Sequence, residues 1–374
     1  MSVQGPPIAA AADIPLGLAT VVDPPEDAQW ERFVTQTPGG DILQTDAWAQ
    51  TKKALGFDVG RVIRRRGGMI AGGSQIIVKR LGPLGGIGYI ARGPVLCSSH
   101  AGLDEELLDG IHAWCRDNRV RHLIVQPGEN AAGIADALAA RGYIGNAPAV
   151  APTATIRVDL RQSLDEILSR MSAARRRDIR LAERNQIDVS IGGEADLDVF
   201  CAMHEATAQR QEFAPLSRTY LQRQWNVLHP LGWLQLFVAR HEGRPIAGIS
   251  VTAFADRVSF RVAGWTGEAA KFRCNAACHW SAIQWARRQG YRHYDFGDFD
   301  RNMAETLIAD PNAAGDHAQS PEAFKHRFGG DVVLLPKPLQ FTFNPVARAV
   351  TRMAFGRLAG RSSFQRFIHR FRNG

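Results

Sequence analysis

The sequence lacks any apolar stretch near the length that spans a bilayer, and it has only five cysteines in 374 residues. A membrane-spanning helix needs roughly 20 apolar residues, so none is predicted. An odd number of cysteines without framework spacing is typical of reduced thiols. Residues 1–28 lack the basic start and apolar core of a secretory signal and predict a disordered leader. These absences favour a cytoplasmic protein.

Acidic residues are absent after Asp331, whereas eight basic residues follow it: Lys337, Arg348, Arg352, Arg357, Arg361, Arg366, Arg370 and Arg372. Their charge equals the formal net charge of +8, so the remainder of the chain is close to neutral. Six phenylalanines accompany them. Residues 339–374 therefore predict a basic amphipathic tail that contacts an anionic surface, either RNA or the inner face of the cell membrane.

The sequence also lacks a Ser-His-Asp order, paired carboxylates and the spacing of a metal site. Cys274, Cys278 and His279 could share one helix face, but no partner cluster accompanies them, and buried thiols are the simpler interpretation. We therefore predict no metal and no resident cofactor.

Two parts of the chain repeat one order of elements. The runs 59–65 and 70–78 flank Gly67-Gly68, and the runs 234–240 and 246–254 flank a turn that contains Gly243. Both predict β-hairpins. Each hairpin precedes a strand, then a helix containing Trp-x-Arg (Trp114 or Trp285), then a further strand. This order is that of the GNAT acyltransferase core, so we predict an α/β (α+β) protein with two tandem GNAT-like domains, at 29–150 and 151–338, each a mixed twisted sheet flanked by helices.

Several segments carry a more specific similarity. They are 43–52 with Gln44-Thr45 and Trp48, 89–95 with Arg-Gly-Pro, the arginine-rich 171–184, 207–213, the Tyr-Asp-Phe-Gly strand at 290–297 and the Phe-Lys-x-x-Phe-Gly-Gly segment at 324–330. Together they resemble the Fem (FemABX) family of peptidoglycan-bridge aminoacyl-tRNA-dependent transferases. The last two segments are the most specific pair. The long helical arm of some members has no counterpart here.

The resemblance implies a role for several side chains. Lys325 takes the position of the lysine near the scissile ester, and its cation would stabilise the oxyanion of the transition state. Lys52, on one helix face with Trp48, takes the position of a lysine that contacts phosphate of the cell-wall precursor. Arg210 takes the position of the arginine that binds the precursor's diphosphate.

The same resemblance assigns Arg92 and Tyr220 to substrate binding. Arg218 and Arg223 are rivals of Arg210. For RNA binding it favours the arginines of 171–184, which are Arg175, Arg176, Arg177 and Arg180. Each position has a simpler alternative: an exposed helix lysine for Lys52, an ordinary turn for Arg92 and a solvated helix face for the arginines.

The expected reaction transfers an amino acid from aminoacyl-tRNA to an amine of a phosphate-bearing acceptor such as a peptidoglycan precursor. We expect a monomer that touches the membrane only peripherally. An alternative is a CoA-dependent N-acyltransferase, although the sequence Arg273-Cys274-Asn275 stands where such enzymes have a glycine-rich phosphate turn. A second alternative, a membrane-associated scaffold, leaves the paired motifs unexplained.

Overall fold

The computed structural model describes residues 20–22, 28–97, 102–129, 131–310 and 320–344. They form two mixed β-sheets flanked by helices, in agreement with the predicted tandem GNAT-like architecture. In the described residues no helix is both long and apolar enough to cross a membrane.

The first sheet and its helices make up the first domain. Its elements are β1 (Thr20–Val22), α1 (Ala28–Gln36), α2 (Asp46–Lys53), β2 (Asp58–Arg66), β3 (Met69–Arg80), β4 (Gly86–Ala91), β5 (Val95–Leu96), α3 (Leu103–Asp117), β6 (Val120–Gln126), α4 (Ala132–Ala140) and, from the end of the chain, β14 (Leu339–Thr342).

The second sheet and its helices make up the second domain. Its elements are β7 (Ala154–Asp159), α5 (Leu164–Arg170), α6 (Ala173–Arg184), β8 (Asp188–Ile191), α7 (Glu194–Arg210), α8 (Arg218–Leu228), β9 (Leu234–His241), β10 (Arg244–Phe254), β11 (Arg257–Trp265), α9 (Ala269–Phe272), α10 (Cys274–Arg288), β12 (His293–Asp295), α11 (Arg301–Ala309), α12 (Pro321–His326) and β13 (Asp331–Leu334).

The strand order is β1-β2-β3-β4-β6-β14 in the first sheet, with β5 paired to β3, and β13-β7-β12-β11-β10-β9-β8 in the second. Both predicted hairpins are present, as β2–β3 and β9–β10. Their turns place Gly67 and Gly68, and likewise Glu242 and Gly243, at positive φ. Two successive residues at positive φ match the right-handed twist of the flanking strands, so each turn fixes the strand register. In each domain the strand that follows the hairpin pairs in parallel with the strand that follows the Trp-x-Arg helix. These pairs are β4 with β6 and β11 with β12.

At two places the structure differs from the predicted boundaries. Thr20–Val22, inside the predicted leader, form an edge strand antiparallel to β2. Leu339–Thr342, assigned to the tail, form β14 antiparallel to β6, because Gln340, Phe341 and Thr342 are all buried and Phe341 packs in the core of the first domain. The rest of the leader (1–19 and 23–27) and of the tail (345–374) lies outside the described residues.

Candidate active site

Lys325 lies on α12, a short helix that begins with Pro321. The side chain of Ser320 caps it by accepting a hydrogen bond from the amide of Ala323 at 3.1 Å, which satisfies an otherwise free helical donor. The Lys325 side chain is half-buried, and its Nζ donates to the carbonyl of Asp298. Burial lowers the pKa of Lys325, while the carboxylates of Asp298 and other nearby acids oppose that change.

An arginine packs on the aromatic rings of the same segment. The guanidinium of Arg175 lies 4.0 Å from the ring centroid of Phe324 and 4.6 Å from that of Phe328. It donates to the Phe324 carbonyl at 3.0 Å and to Asp178 at 3.1 Å. Burial lowers the pKa of Arg175 to about 10, so it stays charged at neutral pH. This stacking fixes α12, and with it Lys325, against α6.

His279 lies at the centre of a cluster of aromatic rings behind this segment. Its Nδ1 is 2.7 Å from the hydroxyl of Tyr294. Burial, and secondarily the charges of Arg175 and Lys325, hold the pKa of His279 well below its usual range. The ring is therefore neutral and fully enclosed, which suits packing rather than proton transfer. Among the described residues no group of three or more His, Cys, Asp or Glu could hold a metal ion.

A cavity of about 540 Å³ opens beside Phe324, at the start of α10. Four arginines and one aspartate line it: Arg175, Arg177, Arg273, Arg327 and Asp178. Arg273 adopts a left-handed conformation (φ 58°) immediately before the helix and contacts Asp178 at 3.6 Å. The excess of guanidinium groups and the amino terminus of a 15-residue helix both favour a phosphate-bearing ligand.

The four arginines predicted to bind RNA occupy three kinds of environment. Arg175 is buried under α12, as described above. Arg176 donates to the carbonyls of Leu168, Ser169 and Met171 and so caps the end of α5. Arg177 and Arg180 are exposed on α6, and of these two only Arg177 lines the cavity. Thus only part of the predicted set faces a space that a ligand could enter.

Three of the predicted substrate-binding residues meet across the two domains. Lys52 at the end of α2 is only 2% exposed. Its Nζ lies 4.8 Å from the ring centroid of Tyr220 on α8 of the second domain, 5.6 Å from that of Trp48 and 5.8 Å from that of Phe57. The Arg261 guanidinium, which sequence reasoning missed, lies 5.2 Å from the Trp48 ring. Its position in mid-strand on β11 gave no motif to detect.

Arg210 lies at the end of α7, close to the cavity. It is exposed, and its Nη2 donates to the carbonyl of Trp265 and to the Thr207 hydroxyl, the latter at 3.2 Å. Trp265 also lines the arginine-rich cavity, so Arg210 stands at its rim. The rival Arg218 is paired with Asp198, and Arg223 is exposed on α8.

Arg92 does not line the arginine-rich cavity but a second one, of about 610 Å³, between the domains. It is 7% exposed, has a φ of 57° and donates to the carbonyl of Pro152 at 2.6 Å. Burial lowers its pKa. Across this cavity Glu129 of the first domain binds Arg157 and Arg257 of the second, at 2.7 and 3.2 Å. The contacts of Arg92 therefore lie at the domain junction.

Asp295, in the Tyr-Asp-Phe-Gly segment, ends β12. Its Oδ1 accepts hydrogen bonds from Thr155 at 2.6 Å and from the amide of Gly297 at 2.8 Å, and its Oδ2 accepts from Arg157 at 3.3 Å. These bonds hold the turn that leads to Asp298, whose carbonyl receives Lys325. Asp295 is therefore a turn-forming residue at a strand end, and it positions Lys325 indirectly through Asp298.

Comparison with known proteins agrees with this architecture. A family model described as an acetyltransferase (GNAT) domain matches residues 169–304. Lipid II:glycine glycyltransferases of Staphylococcus epidermidis and Staphylococcus aureus are 24% and 25% identical over 229 and 221 residues, which is 58% and 56% of this chain. The aligned regions are 55% and 52% of those proteins, so the chain spans about half the length of these relatives.

Two solved structures align over most of the chain. The crystal structure of FemX has a TM-score of 0.73 and 18% identity, covering 87% of this chain and 98% of FemX. A tandem GNAT protein from the clavulanic acid biosynthesis pathway has a TM-score of 0.52 and 12% identity, covering 88% and 99%. The protein is thus of the tandem GNAT class. Within that class, the chain is similar to FemX in fold and to the lipid II:glycine glycyltransferases in sequence.

Proposed function

We propose that the protein is an aminoacyltransferase that moves an amino acid from aminoacyl-tRNA to an amine of a cell-wall precursor or a related small acceptor, forming an amide bond. The observation that carries the proposal is the position of Lys325. It lies on α12, against which Arg175 packs, and this helix borders the arginine-lined cavity. As part of the same proposal the reaction takes place in the cytoplasm, where charged tRNA is available.

The chemistry requires alignment more than covalent catalysis. An aminoacyl ester is already activated, so a deprotonated amine can attack it once the two are held together. The bond from the amine nitrogen to the carbonyl carbon forms, a tetrahedral oxyanion develops, and the ribose oxygen then leaves with a proton. Lys325 supplies the cation that stabilises the oxyanion, since a positioned charge in a half-buried site acts more strongly than in water.

The donor's terminal phosphates occupy the cavity at the start of α10 in this proposal. Arg177, Arg273 and Arg327 can contact phosphodiester oxygens there, because the planar guanidinium pairs two oxygens at once. All of these residues belong to the second domain. Donor recognition therefore needs only that domain.

The acceptor, by contrast, lies between the domains. Lys52 and Trp48 come from the first domain and Tyr220 from the second. Arg210, also of the second domain, stands at the rim of the arginine-lined cavity. A phosphate-bearing acceptor, such as a peptidoglycan precursor, would place its anion between the Lys52 and Arg210 cations. The name of the Staphylococcus relatives, lipid II:glycine glycyltransferase, is consistent with such an acceptor.

A CoA-dependent N-acyltransferase is the second candidate, favoured by the acetyltransferase (GNAT) model at residues 169–304. Against it, side chains such as those of Arg273 and Asn275 stand at the start of α10, where the turn that cradles a pyrophosphate uses glycines. The two candidates share the fold and the cavity. They differ in the donor carrier.

One experiment separates them. The purified protein is incubated with amine acceptors and either a pool of charged tRNA or acetyl-CoA, and the loss of each donor is followed. The proposal expects consumption of aminoacyl-tRNA that depends on the acceptor, with acetyl-CoA untouched. Consumption of acetyl-CoA alone would replace the proposal by the second candidate.

A further inference from the structure

The chain crosses between the two domains twice, at 150–153 on the way out and at 335–338 on the return. The two crossings lie side by side. The amide of Leu335 donates to the carbonyl of Thr153 at 2.9 Å, which continues the antiparallel pairing of β7 with β13. The joint between the domains is therefore a short two-stranded ribbon rather than a single flexible linker.

From the first domain, one buried glutamine holds both crossings. Gln126 ends β6 and has no exposed surface. Its Oε1 accepts from the amides of Val150 at 3.0 Å and Ala151 at 2.9 Å. Its Nε2 donates to the carbonyls of Pro152 at 3.2 Å and Pro336 at 3.0 Å. These four bonds use the whole hydrogen-bonding capacity of a carboxamide.

From the second domain, Arg301 holds the same ribbon. Its Nη1 donates to the carbonyls of Thr153 and Leu335, both at 2.8 Å, and its Nε pairs with Glu305 at 2.8 Å. Each domain thus contributes one side chain that bonds to both crossings. Satisfied polar networks of this kind specify a single geometry, because any rotation of the joint leaves buried groups without partners.

We propose that Gln126 is a positioning residue: by clamping both crossings it sets the orientation of the domains and so the spacing of Lys52 and Trp48 from Tyr220. This inference rests on the proposed function, in which the acceptor lies between the domains and the donor within the second. A loosened joint should therefore weaken acceptor binding and leave donor binding unchanged.

The test uses two isosteric substitutions. Gln126→Glu keeps the acceptors for Val150 and Ala151 but loses both donors to the proline carbonyls. Gln340→Glu is the matched control, since Gln340 is equally buried, lies in the adjacent strand and bonds to Gly145 within the first domain. We expect Gln126→Glu to raise the acceptor KM roughly tenfold with the donor KM unchanged, and the control to leave both unchanged.

A pH arm distinguishes the hydrogen bonds from general damage. A protonated glutamic acid recovers one donor, so the acceptor KM of Gln126→Glu should fall towards that of the wild type as the pH is lowered. The wild-type acceptor KM should lack this trend.

Should Gln126→Glu fail to fold, Arg301→Met loosens the ribbon from the side of the second domain. It is expected to give the same result, a raised acceptor KM with an unchanged donor KM.

A distance measurement keeps the inference independent of the reaction. Met69 in the first domain and Ile191 in the second are 75% and 52% exposed and can carry spin labels as cysteines in a Cys97→Ser background, because the other four cysteines are buried. We expect a broader distribution of distances in Gln126→Glu than in Gln340→Glu. Equal distributions, or equal acceptor and donor effects, would overturn the inference. If the wild type uses no aminoacyl-tRNA, the proposed function fails, and this distance alone decides whether Gln126 sets the orientation.

Discussion

The two domains repeat the same hairpin, strand, helix and strand, yet the repeated helix begins in opposite electrostatic surroundings. Both helices follow a residue in the left-handed conformation, Gly102 before α3 and Arg273 before α10. The first turn of α3 holds Asp104, Glu105 and Glu106, whereas the first turn of α10 holds no acidic residue and faces the arginine-lined cavity.

The acids of α3 serve the packing of the first domain. Glu105 pairs with Arg141 at the end of α4, and Glu106 pairs with Arg66 on β2 at 2.7 Å. Carboxylates in a first turn also neutralise the helix dipole and repel an incoming anion. The start of α3 thus serves the packing of its own domain, whereas the start of α10 faces a cavity whose charge suits a phosphate.

The ends of the parallel strands differ in the same way. In the first domain β6 ends in Gln126, whose side chain forms all its hydrogen bonds with the two crossings between the domains. In the second domain β12 ends in Asp295, which orders the turn to Asp298 and Lys325. Four substitutions test these differences between the two domains.

The largest effect is expected from Lys325→Ala. Loss of the cation should lower kcat by roughly 10²-fold or more and leave both KM values within a few-fold, as for removal of one oxyanion donor. Lys271→Ala is the control, because Lys271 is an exposed lysine of the same domain. Turnover of Lys325→Ala at the wild-type rate in a steady-state assay would remove Lys325 from the mechanism.

Lys52→Met tests whether the first domain contributes to substrate binding as well as to support. Methionine preserves contact with Trp48, Phe57 and Tyr220 but removes the charge. The acceptor KM should rise roughly tenfold or more, the effect of losing one charge-assisted contact, with a smaller change in kcat. An unchanged KM for an anionic acceptor would mean that the acceptor binds elsewhere.

Asn275→Asp gives α10 a carboxylate in its first turn, as α3 has. The charge should stabilise the helix by about 0.3–1 kcal/mol and, at the same time, weaken donor binding several-fold, since Asn275 lines the cavity. Asn302→Asp is the matched control in the first turn of α11, where Asn302 is exposed and outside the set that lines the cavity. Thermal unfolding and donor KM are measured together. A donor KM that rises equally in both variants contradicts a phosphate site at α10.

The sequence was sufficient for the repeated architecture, since period-two apolar runs around Gly67-Gly68 and Gly243 predict hairpins from local chemistry alone. Contacts between distant segments could not be predicted from the sequence. Nothing local marks Gln126 as the partner of two crossings, or Arg261 as a neighbour of Trp48, because both depend on how the domains pack. The strand Leu339–Thr342 was hidden for the same reason: its composition resembles the tail, and only pairing with β6 defines it.

The smallest effect should come from the two exposed arginines of α6, and it addresses which face of this helix meets the donor. Arg177 lines the cavity at α10, whereas Arg180, three residues further on the same helix, is equally exposed but does not. A phosphate contact releases counterions, so its loss reduces the slope of log affinity against log salt by about 0.7 for a single-stranded nucleic acid. We expect Arg177→Ala to reduce the slope of tRNA binding by this amount and Arg180→Ala to leave it unchanged, measured by filter binding between low and moderate salt. Equal reductions of the slope in both variants would instead show that the RNA contacts the whole exposed face of α6. In that case the second domain would attract the donor as a charged surface, and the cavity at α10 would bind only the end of the tRNA.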